Sequence, residues 1–239
     1  MGETSVTTAS EGADEGSGPP ASQDGRLTRA VRTRASVVEA LLTLNEEGHL
    51  RPTARDIASR AGVSLRSLYV HFDDLEALFV AASHRQGERL GEMLPPMVTE
   101  GTFEQRLDAF LDRREHIHEL GAGVRRAALL QEPFSPVLKQ ALAKGRAVLH
   151  NEVKACLAPE LAAAGAADPA GRDRLLSALD IVTGSGAWES LRTHQNLSVD
   201  EAAARVRDMV LALIRSWVPA DAITRGSATH PSPAAGPQG

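Results

Sequence analysis

The side chains best suited to bind a polyanion lie close together in residues 53–72, TARDIASRAGVSLRSLYVHF. The part of this stretch after Gly62 carries Arg66, Ser67, Tyr69 and His71 and no acid. Guanidinium, hydroxyl and imidazole groups can donate hydrogen bonds to phosphate oxygens and to the edges of bases. These residue types therefore indicate nucleic-acid binding, provided that one short segment holds them outward.

The same stretch predicts two short helices joined by a tight turn. Thr53 and Asp56 fit a variant of the capping box that begins the first helix, and Gly62 can adopt the left-handed conformation that ends it. Ser64 can cap the second helix, and Leu68 is expected to fill the angle between the two helices. This arrangement is a helix-turn-helix, whose second helix projects into the major groove of DNA.

The charge distribution favours the same region. The chain has a net charge of −5, and residues 1–25 contain five acids and neither lysine nor arginine. Residues 26–72 contain eight arginines and four acids. Four of these arginines lie at the start of a helix predicted from about residue 27 to residue 46, namely Arg26, Arg29, Arg32 and Arg34. The dipole of a helix favours acids at that end, so four arginines there are unusual. The start of the helix therefore either faces solvent or lies beside an external polyanion. The predicted inner face of the same helix consists of Val31, Ala35, Val38 and Leu42.

Composition predicts an all-α protein of the cytoplasm. Hydrophobic residues make up 42% of the chain but aromatic residues only 3%, so the core must consist mainly of Ala, Leu and Val. No apolar run approaches the roughly 18 residues that span a bilayer, the N-terminus lacks the features of a signal peptide, and Cys156 is the single cysteine. Residues 1–25 and 219–239 lack apolar periodicity and are expected to be disordered tails.

Three pieces of this sequence, IASRAGVS, LYVHF and EALF, resemble the DNA-binding domain of the tetracycline-repressor (TetR) family of bacterial transcription regulators. The resemblance covers residues 53–79, or 26–79 with the first helix. It implies a three-helix DNA-binding domain over residues 26–79 and a helical effector-binding and dimerisation domain over residues 80–218. It also implies a homodimer whose partners are a palindromic double-stranded DNA operator and a small-molecule effector of unknown identity. No cofactor and no metal are expected.

By position, the resemblance implies that Arg55 and Arg66 read bases, because a bidentate arginine–guanine contact is the commonest specific one. Leu65 could meet a thymine methyl group. Contacts to phosphate are expected from Arg32, Thr53, Ser67, Tyr69 and His71. Alternatively, Tyr69 and His71 pack beneath the helix, and Arg55 is a plain surface charge.

One position departs from the family pattern. Leu75 stands where a phosphate-binding lysine is usual, and Asp73 and Asp74 beside it would repel DNA unless they cap a helix. Affinity is therefore expected to depend more on Tyr69, His71 and the arginines of the first helix.

Capping residues and apolar periodicity predict further helices over residues 73–94, 102–120, 124–131, 135–157, 168–195 and 198–217, with the stretch APELAAAGAADPAG as a helix-poor connection. Residues 184–187 (GSGA) would then lie inside a helix, although they form helices poorly. Close helix approach in a four-helix dimer interface would explain them. An intrasubunit contact and a ligand-lining turn are the alternatives.

An effector pocket is expected among the middle helices. Its candidate lining residues, each of which could instead be core or surface, are Phe103, Phe110, His116, Arg125, Phe134 and Trp188. His116 and His118 project in opposite directions from a helix, so they cannot share a metal ion. Cys156 continues an apolar stripe, which favours a buried structural thiol over a redox sensor.

The leading hypothesis is a ligand-responsive dimeric repressor that is not an enzyme. The sequence contains no GxSxG, HExxH or GxGxxG motif and no phosphate-binding loop, which disfavours a helical enzyme. A DNA-binding protein without an effector is the third hypothesis. A cavity of several hundred Å³ in the second domain would favour an effector over this alternative.

Overall fold

The computed structural model describes residues 23–220 and residue 222, and within that part of the chain the regular structure is entirely helical. Its α-helices are α1 (Gln23–Glu46), α2 (Ala54–Arg60), α3 (Leu65–His71), α4 (Leu75–Met93), α5 (Phe103–Leu120), α6 (Ala122–Gln131), α7 (Pro136–Cys156), α8 (Ala158–Ala167), α9 (Gly171–Val182), α10 (Ser185–Glu189) and α11 (Val199–Trp217). A 3-10 turn (Glu132–Phe134) precedes α7, and a π-helical turn (Ser190–His194) follows α10. None of these helices is long and apolar enough to cross a membrane. The predicted all-α fold is confirmed.

Side-chain caps begin α2, α3, α5, α7 and α11 where the sequence predicted them, whereas α9 begins at Gly171 without a side-chain cap. Thr53 accepts a hydrogen bond from the Asp56 amide while the Asp56 carboxylate accepts one from the Thr53 amide, which is the complete capping box. Ser64 caps α3 in the predicted way. Gly62 has φ +68°, the left-handed conformation that the turn between α2 and α3 requires. The same kind of side-chain cap begins α5, α7 and α11, at Thr102, Ser135 and Ser198.

Two clusters of buried side chains form the core. The first joins α1 to α4, and its members include Val38, Leu42, Ile57, Leu68 and Phe72. The second joins α5, α7, α8, α9 and α11, and its members include Phe110, Val153, Leu175 and Val210. Val124 of α6 belongs to the first cluster, so a helix of the second half of the chain packs against the first.

The predicted inner face of α1 is correct only in its C-terminal half. Val38 and Leu42 are buried, but Val31 and Ala35 are exposed. The buried positions begin at Val37, and α1 itself begins at Gln23, earlier than expected. The N-terminal half of α1 therefore extends beyond the first cluster. The tails expected to be disordered lie mostly outside the described residues.

Two predicted features of the second half are wrong. The expected helix-poor connection forms α8, because Pro159 lies in its first turn, where a missing N–H costs nothing, and six of its ten residues are alanine. The expected long helix over residues 168–195 is interrupted after Val182. Gly184 is extended, with φ −83° and ψ 162°, and is the N-cap of α10 instead of a helix-interior residue.

Two contacts connect the second half of the chain to the first cluster. At Gly123 of α6 an added Cβ would lie 2.4 Å from the backbone oxygen of Asn45, so α6 lies directly against the C-terminal end of α1. Ser135, which caps α7, donates its hydroxyl hydrogen to the carboxylate of Glu76 in the first turn of α4. Movement of α6 or α7 would therefore act directly on α1 or α4.

Candidate nucleic-acid interface and neighbouring cavities

Helix α3 presents a continuous outward face. Leu68 is fully buried and Phe72 nearly so, which fixes the opposite face of α3 against α1 and α2. Leu65 and Tyr69 remain 40% and 47% exposed, and Arg66 is also exposed. Ser67 and His71 are half-buried at the edges of this face. The structure thus places Leu65, Arg66 and Tyr69 on one accessible surface.

The acids of this region are engaged by arginines that do not lie on that face. The pairs are Glu39 with Arg85 at 2.9 Å, Glu46 with Arg89 at 3.1 Å and Glu47 with Arg60 at 2.6 Å. The Arg60 pair is bidentate. Among the described side chains of residues 25–220, by contrast, no acid lies within ion-pair distance of five arginines of α1, α2 and α3, namely Arg26, Arg29, Arg32, Arg55 and Arg66. Exposed arginines that lack an acidic partner therefore lie on and beside α3, although the whole chain is acidic.

Two residues of this region have roles that the sequence did not indicate. The guanidinium of Arg34 lies 4.6 Å from the centre of the Phe72 ring, a cation–π contact that helps to hold α3 against α1. The hydroxyl of Thr53 donates to Asp56 Oδ2 at 2.7 Å, and this bond helps to lower the pKa of the Asp56 carboxyl. A phosphate contact from Thr53 would require that same hydroxyl hydrogen.

The structure also accounts for the residues that replace the usual phosphate-binding lysine. Asp74 is the N-cap of α4, since its carboxylate accepts a hydrogen bond from the Ala77 amide at 2.8 Å. Asp73 is exposed. Leu75 is half-buried and packs against the first cluster. Of the two aspartates, one therefore has the capping role that the sequence allowed.

This fold and surface are those of a helix-turn-helix DNA-binding domain. Residues 37–82 match the family model for bacterial regulatory proteins of the tetR family. The family match therefore covers the helix-turn-helix region, from within α1 to within α4.

Two solved structures have a similar fold. A transcriptional regulator from Rhodococcus sp. Rha1 is 17% identical, with a TM-score of 0.59 over 78% of this chain and 96% of that one. A protein assigned as a transcriptional regulator from Pseudomonas aeruginosa PAO1 is 19% identical, with a TM-score of 0.55 over 85% of this chain and 99% of that one. No curated protein matches the sequence significantly. At these identities the likeness shows a shared fold.

The second half of the chain contains a large cavity of about 520 Å³ among α4, α5, α6 and α7. Its wall is mainly aliphatic and includes Leu90, Ile117, Leu142 and Leu149. A smaller cavity of about 260 Å³ lies beside the break between α9 and α10. A third, of about 420 Å³, lies where the start of α4 meets the start of α7.

The structure does not bring the six predicted pocket residues together. Arg125 lines the large cavity, Trp188 the smaller one, and Phe134, which is 78% exposed, the third. Phe103 and Phe110 are buried in the second cluster and line none of these three cavities. With only five phenylalanines in the chain, the core uses these two as bulky packing residues.

The two histidines of α5 have different surroundings. His116 is half-exposed, and its Nδ1 lies 2.8 Å from the backbone oxygen of Asp112. His118 is 2% exposed, and its Nε2 donates to the Thr183 carbonyl at 3.0 Å, at the break between α9 and α10. Burial lowers the pKa of His118 to about 4, so its ring is neutral at pH 7. The other ring nitrogen, Nδ1, is buried and has no hydrogen-bond partner among the described residues. His118 lines both the large and the smaller cavity and packs on Trp188.

Sequence reasoning missed His118 as a cavity residue because it considered this histidine only as a metal ligand. It also missed Gln86, which is buried in α4 and donates from Nε2 to the Leu120 carbonyl at 3.2 Å. One sequence feature could have indicated a cavity beside α4. It is the pair of glycines, Gly87 and Gly91, which lie one turn apart inside a predicted helix.

Cys156 is buried, as predicted. Its Sγ lies 3.3 Å from the backbone oxygen of Arg106, and burial raises the pKa of the thiol to about 11. A thiol of this kind is protonated and unreactive at neutral pH.

Proposed function

We propose that this TetR-family regulator is a cytoplasmic, dimeric repressor that leaves its palindromic operator when a small molecule binds, and that it acts by binding and not by catalysis. The observation that supports DNA recognition most strongly is the outward face of α3, which lies beside arginines that have no acidic partner in the described chain. An exposed positive surface on a short, well-anchored helix is what major-groove recognition requires.

Within this surface we assign base contacts to Arg55 and Arg66 and a thymine methyl contact to Leu65. All three side chains are exposed. Contacts that fix the protein on the DNA backbone are assigned to Arg32, Ser67, Tyr69 and His71. Thr53 acts mainly through its cap, which sets the orientation of α2 and hence of Arg55.

The large cavity supports an effector. Its volume of about 520 Å³ is in the range of ligand pockets in proteins, roughly 300–1,000 Å³. Helix α6 lines this cavity with Val124 and Arg125, and through Gly123 it also lies against α1. A ligand that binds better when α6 is displaced would shift the DNA-binding helices by its differential affinity. This cavity favours a ligand-responsive regulator over a DNA-binding protein without an effector.

A second copy of the chain is proposed to pack on the last helices. Ile181 on α9 is 71% exposed, and an exposed apolar residue of this size suits a subunit interface. The two buried clusters support the division into residues 26–79 and residues 80–218, although Ala82 and Val124 of the second part belong to the first cluster.

Footprinting of the DNA upstream of the protein's own gene tests this proposal. We expect a protected site with two-fold symmetry and an affinity that falls steeply with salt concentration. Light scattering should show a dimer at micromolar protein concentration. Failure to bind any duplex DNA in a salt-sensitive manner would contradict the proposal.

A further inference from the structure

Three glycines inside long helices have no explanation in the packing of the chain itself. Gly87 and Gly91 lie within α4 and Gly145 lies within α7, where glycine weakens a helix relative to alanine. Apart from the backbone of its own helix, an added Cβ at each of the three would meet no atom of the described residues within 4 Å, and none has a positive φ. At Gly123, in contrast, a Cβ would meet backbone atoms at 2.4 Å.

All three glycines line the large cavity. Side chains at these positions would project into space that is open in this structure. The absence of three side chains around one cavity is explained if a bound molecule occupies that space. The glycines on α4 are one helical turn apart, so they leave an uninterrupted track along one side of the cavity.

The wall of the cavity indicates the shape of that molecule. Among the described residues that line it there is no phenylalanine, tyrosine or tryptophan, and the apolar positions are aliphatic. A flat aromatic ligand would find only the imidazole rings of His84 and His118 to stack on. A flexible aliphatic chain is the better match to aliphatic side chains and bare helix backbone.

Arg125 supplies an unbalanced positive charge in the same cavity. Its side chain is 17% exposed, and its Nη1 donates a hydrogen bond to the His118 carbonyl at 3.3 Å. Its buried Nη2 has no hydrogen-bond acceptor among the described residues. The nearest acid, Glu189, lies 3.6 Å away and already accepts a hydrogen bond from Arg126 at 2.7 Å. One carboxylate thus serves two guanidinium groups, and a single positive charge is left over.

No other acid in the cavity balances this charge. Glu152, which also lines the cavity, lies 3.0 Å from Arg113 and 3.7 Å from Arg114. Burial lowers the pKa of Arg125, which shows that the surroundings disfavour its charge. An anionic group on the ligand would stabilise the guanidinium.

We propose that the large cavity binds an aliphatic carboxylate, with its chain along the glycines of α4 and α7 and its carboxylate on Arg125. As the identity of the effector, this inference rests on the proposed function; as a binding site, it stands on the cavity alone. The ligand makes an ion pair and hydrogen bonds with Arg125, and it fills the space that the three glycines leave open.

Binding of three twelve-carbon probes to the full-length protein tests the ligand class. The probes are dodecanoate, 1-dodecanol and dodecylamine, each titrated by calorimetry below the concentration at which it aggregates. We expect dodecanoate to bind about tenfold or more tighter than dodecanol, because a hydrogen bond to a charged group contributes at least that factor. Dodecylamine should bind more weakly than both.

Variants locate the two ends of the ligand. Arg125→Gln should reduce dodecanoate affinity about tenfold, to that of dodecanol, and leave dodecanol binding unchanged. Arg125→Lys should retain the preference for the carboxylate. Gly91→Leu should abolish binding of both probes. Ala143→Leu, on an exposed position of α7 that does not line the cavity, is the matched control and should bind both as the wild type does.

Equal affinity for dodecanoate and dodecanol, or dodecanoate binding that survives Arg125→Gln or Gly91→Leu unchanged, overturns the inference. A parallel assay of operator DNA separates it from the proposed function. If dodecanoate binds through Arg125 but leaves DNA affinity unchanged, the binding site is established and the ligand-responsive part of the proposed function fails. If another compound releases the DNA and dodecanoate does not bind, the ligand class is wrong and the proposed function survives.

Discussion

Arg66 is the residue at which base reading and phosphate binding can be separated most cleanly. It is exposed on the outward face of α3 and has no ion-pair partner among the described side chains of residues 25–220. If Arg66 bonds a guanine, Arg66→Ala should weaken binding to the operator by roughly 1–3 kcal/mol and leave binding to random DNA nearly unchanged. Fluorescence anisotropy with both DNAs at one salt concentration measures the difference.

Arg32 provides the matched comparison, because it is exposed on α1 and is expected to contact phosphate. Arg32→Ala should weaken binding to operator and random DNA by similar factors, and should reduce the slope of log affinity against log salt by about one. Equal losses on both DNAs for Arg66→Ala would rule out its base-reading role.

His118 should make stability depend on pH. Its pKa is about 4 in the folded protein and about 6.5 when the chain is unfolded, so the folded state binds fewer protons. Protonation of His118 therefore leaves the free energy of unfolding unaffected above pH 6.5 and reduces it as the pH falls from 6.5 towards 4. Between pH 7.5 and pH 5 the free energy of unfolding should fall by about 2 kcal/mol from this residue.

Urea unfolding at the two pH values measures this effect. His118→Gln should lose less stability than the wild type over the same interval, whereas His116→Gln, at a half-exposed position of the same helix, should behave as the wild type does. An identical pH dependence in the wild type and in His118→Gln would show that burial of His118 is not its source.

Among the helices, α6 connects the cavity to the DNA-binding helices, and Gly123 is the point of contact. An added methyl group would lie 2.4 Å from the Asn45 backbone oxygen, which cannot rotate away as a side chain could. Gly123→Ala should therefore force α6 and α1 apart and reduce the free energy of unfolding by about 1–3 kcal/mol. Thermal and urea unfolding both measure this change.

Gly145→Ala in α7 is the control for the change from glycine to alanine, since its new methyl group meets no atom within 4 Å. Without a ligand it should stabilise the protein by up to about 1 kcal/mol through helix propensity. A Gly123→Ala protein as stable as the wild type would mean that α6 does not lie against α1 as closely as the structure places it.

Helix boundaries that depend on neighbouring residues could be predicted from the sequence. The caps at Thr53, Ser64, Thr102 and Ser198 use side chains and amides within three residues of one another, so short patterns identify them. The same holds for Gly62, whose turn requires a positive φ. The outward face of α3 follows from these caps and from Leu68.

Features that depend on distant contacts could not be predicted in this way. The break after Val182 places the Thr183 carbonyl beside His118, which is 65 residues away in the chain. The composition of α8 is typical of a connection because it contains a proline and a glycine, but Pro159 lies in the first turn, where a helix tolerates it. Phe103 and Phe110 are core residues because of the helices that surround them, which the sequence does not reveal.

For the whole molecule, the arrangement of helices suggests how a ligand and DNA would affect each other. The large cavity is lined by α4 and α6, and these helices also contact the first cluster, α4 as a member and α6 through Val124. Binding that shifts either helix must repack that cluster or move it as a body. Because such coupling is reciprocal, operator DNA should weaken ligand binding by the factor by which the ligand weakens DNA binding.

The dimer proposed here sets a geometric requirement on the operator. Two recognition helices related by two-fold symmetry must reach major grooves on one side of the DNA, about 34–36 Å apart or a multiple of that spacing. Inserting five base pairs between the half-sites rotates one of them by about half a turn, so only one α3 can then engage its half-site. Affinity should fall about a hundredfold or more, towards the level of non-specific binding.

Fluorescence anisotropy measures the affinity of the protein for three DNAs: the footprinted site, the same site with five base pairs inserted, and a single half-site. The DNA with the insertion is expected to bind as weakly as the single half-site. Unchanged affinity for the DNA with the insertion would mean that the two α3 helices are not held at a fixed distance, and the dimeric mechanism would then be wrong even if each chain binds DNA.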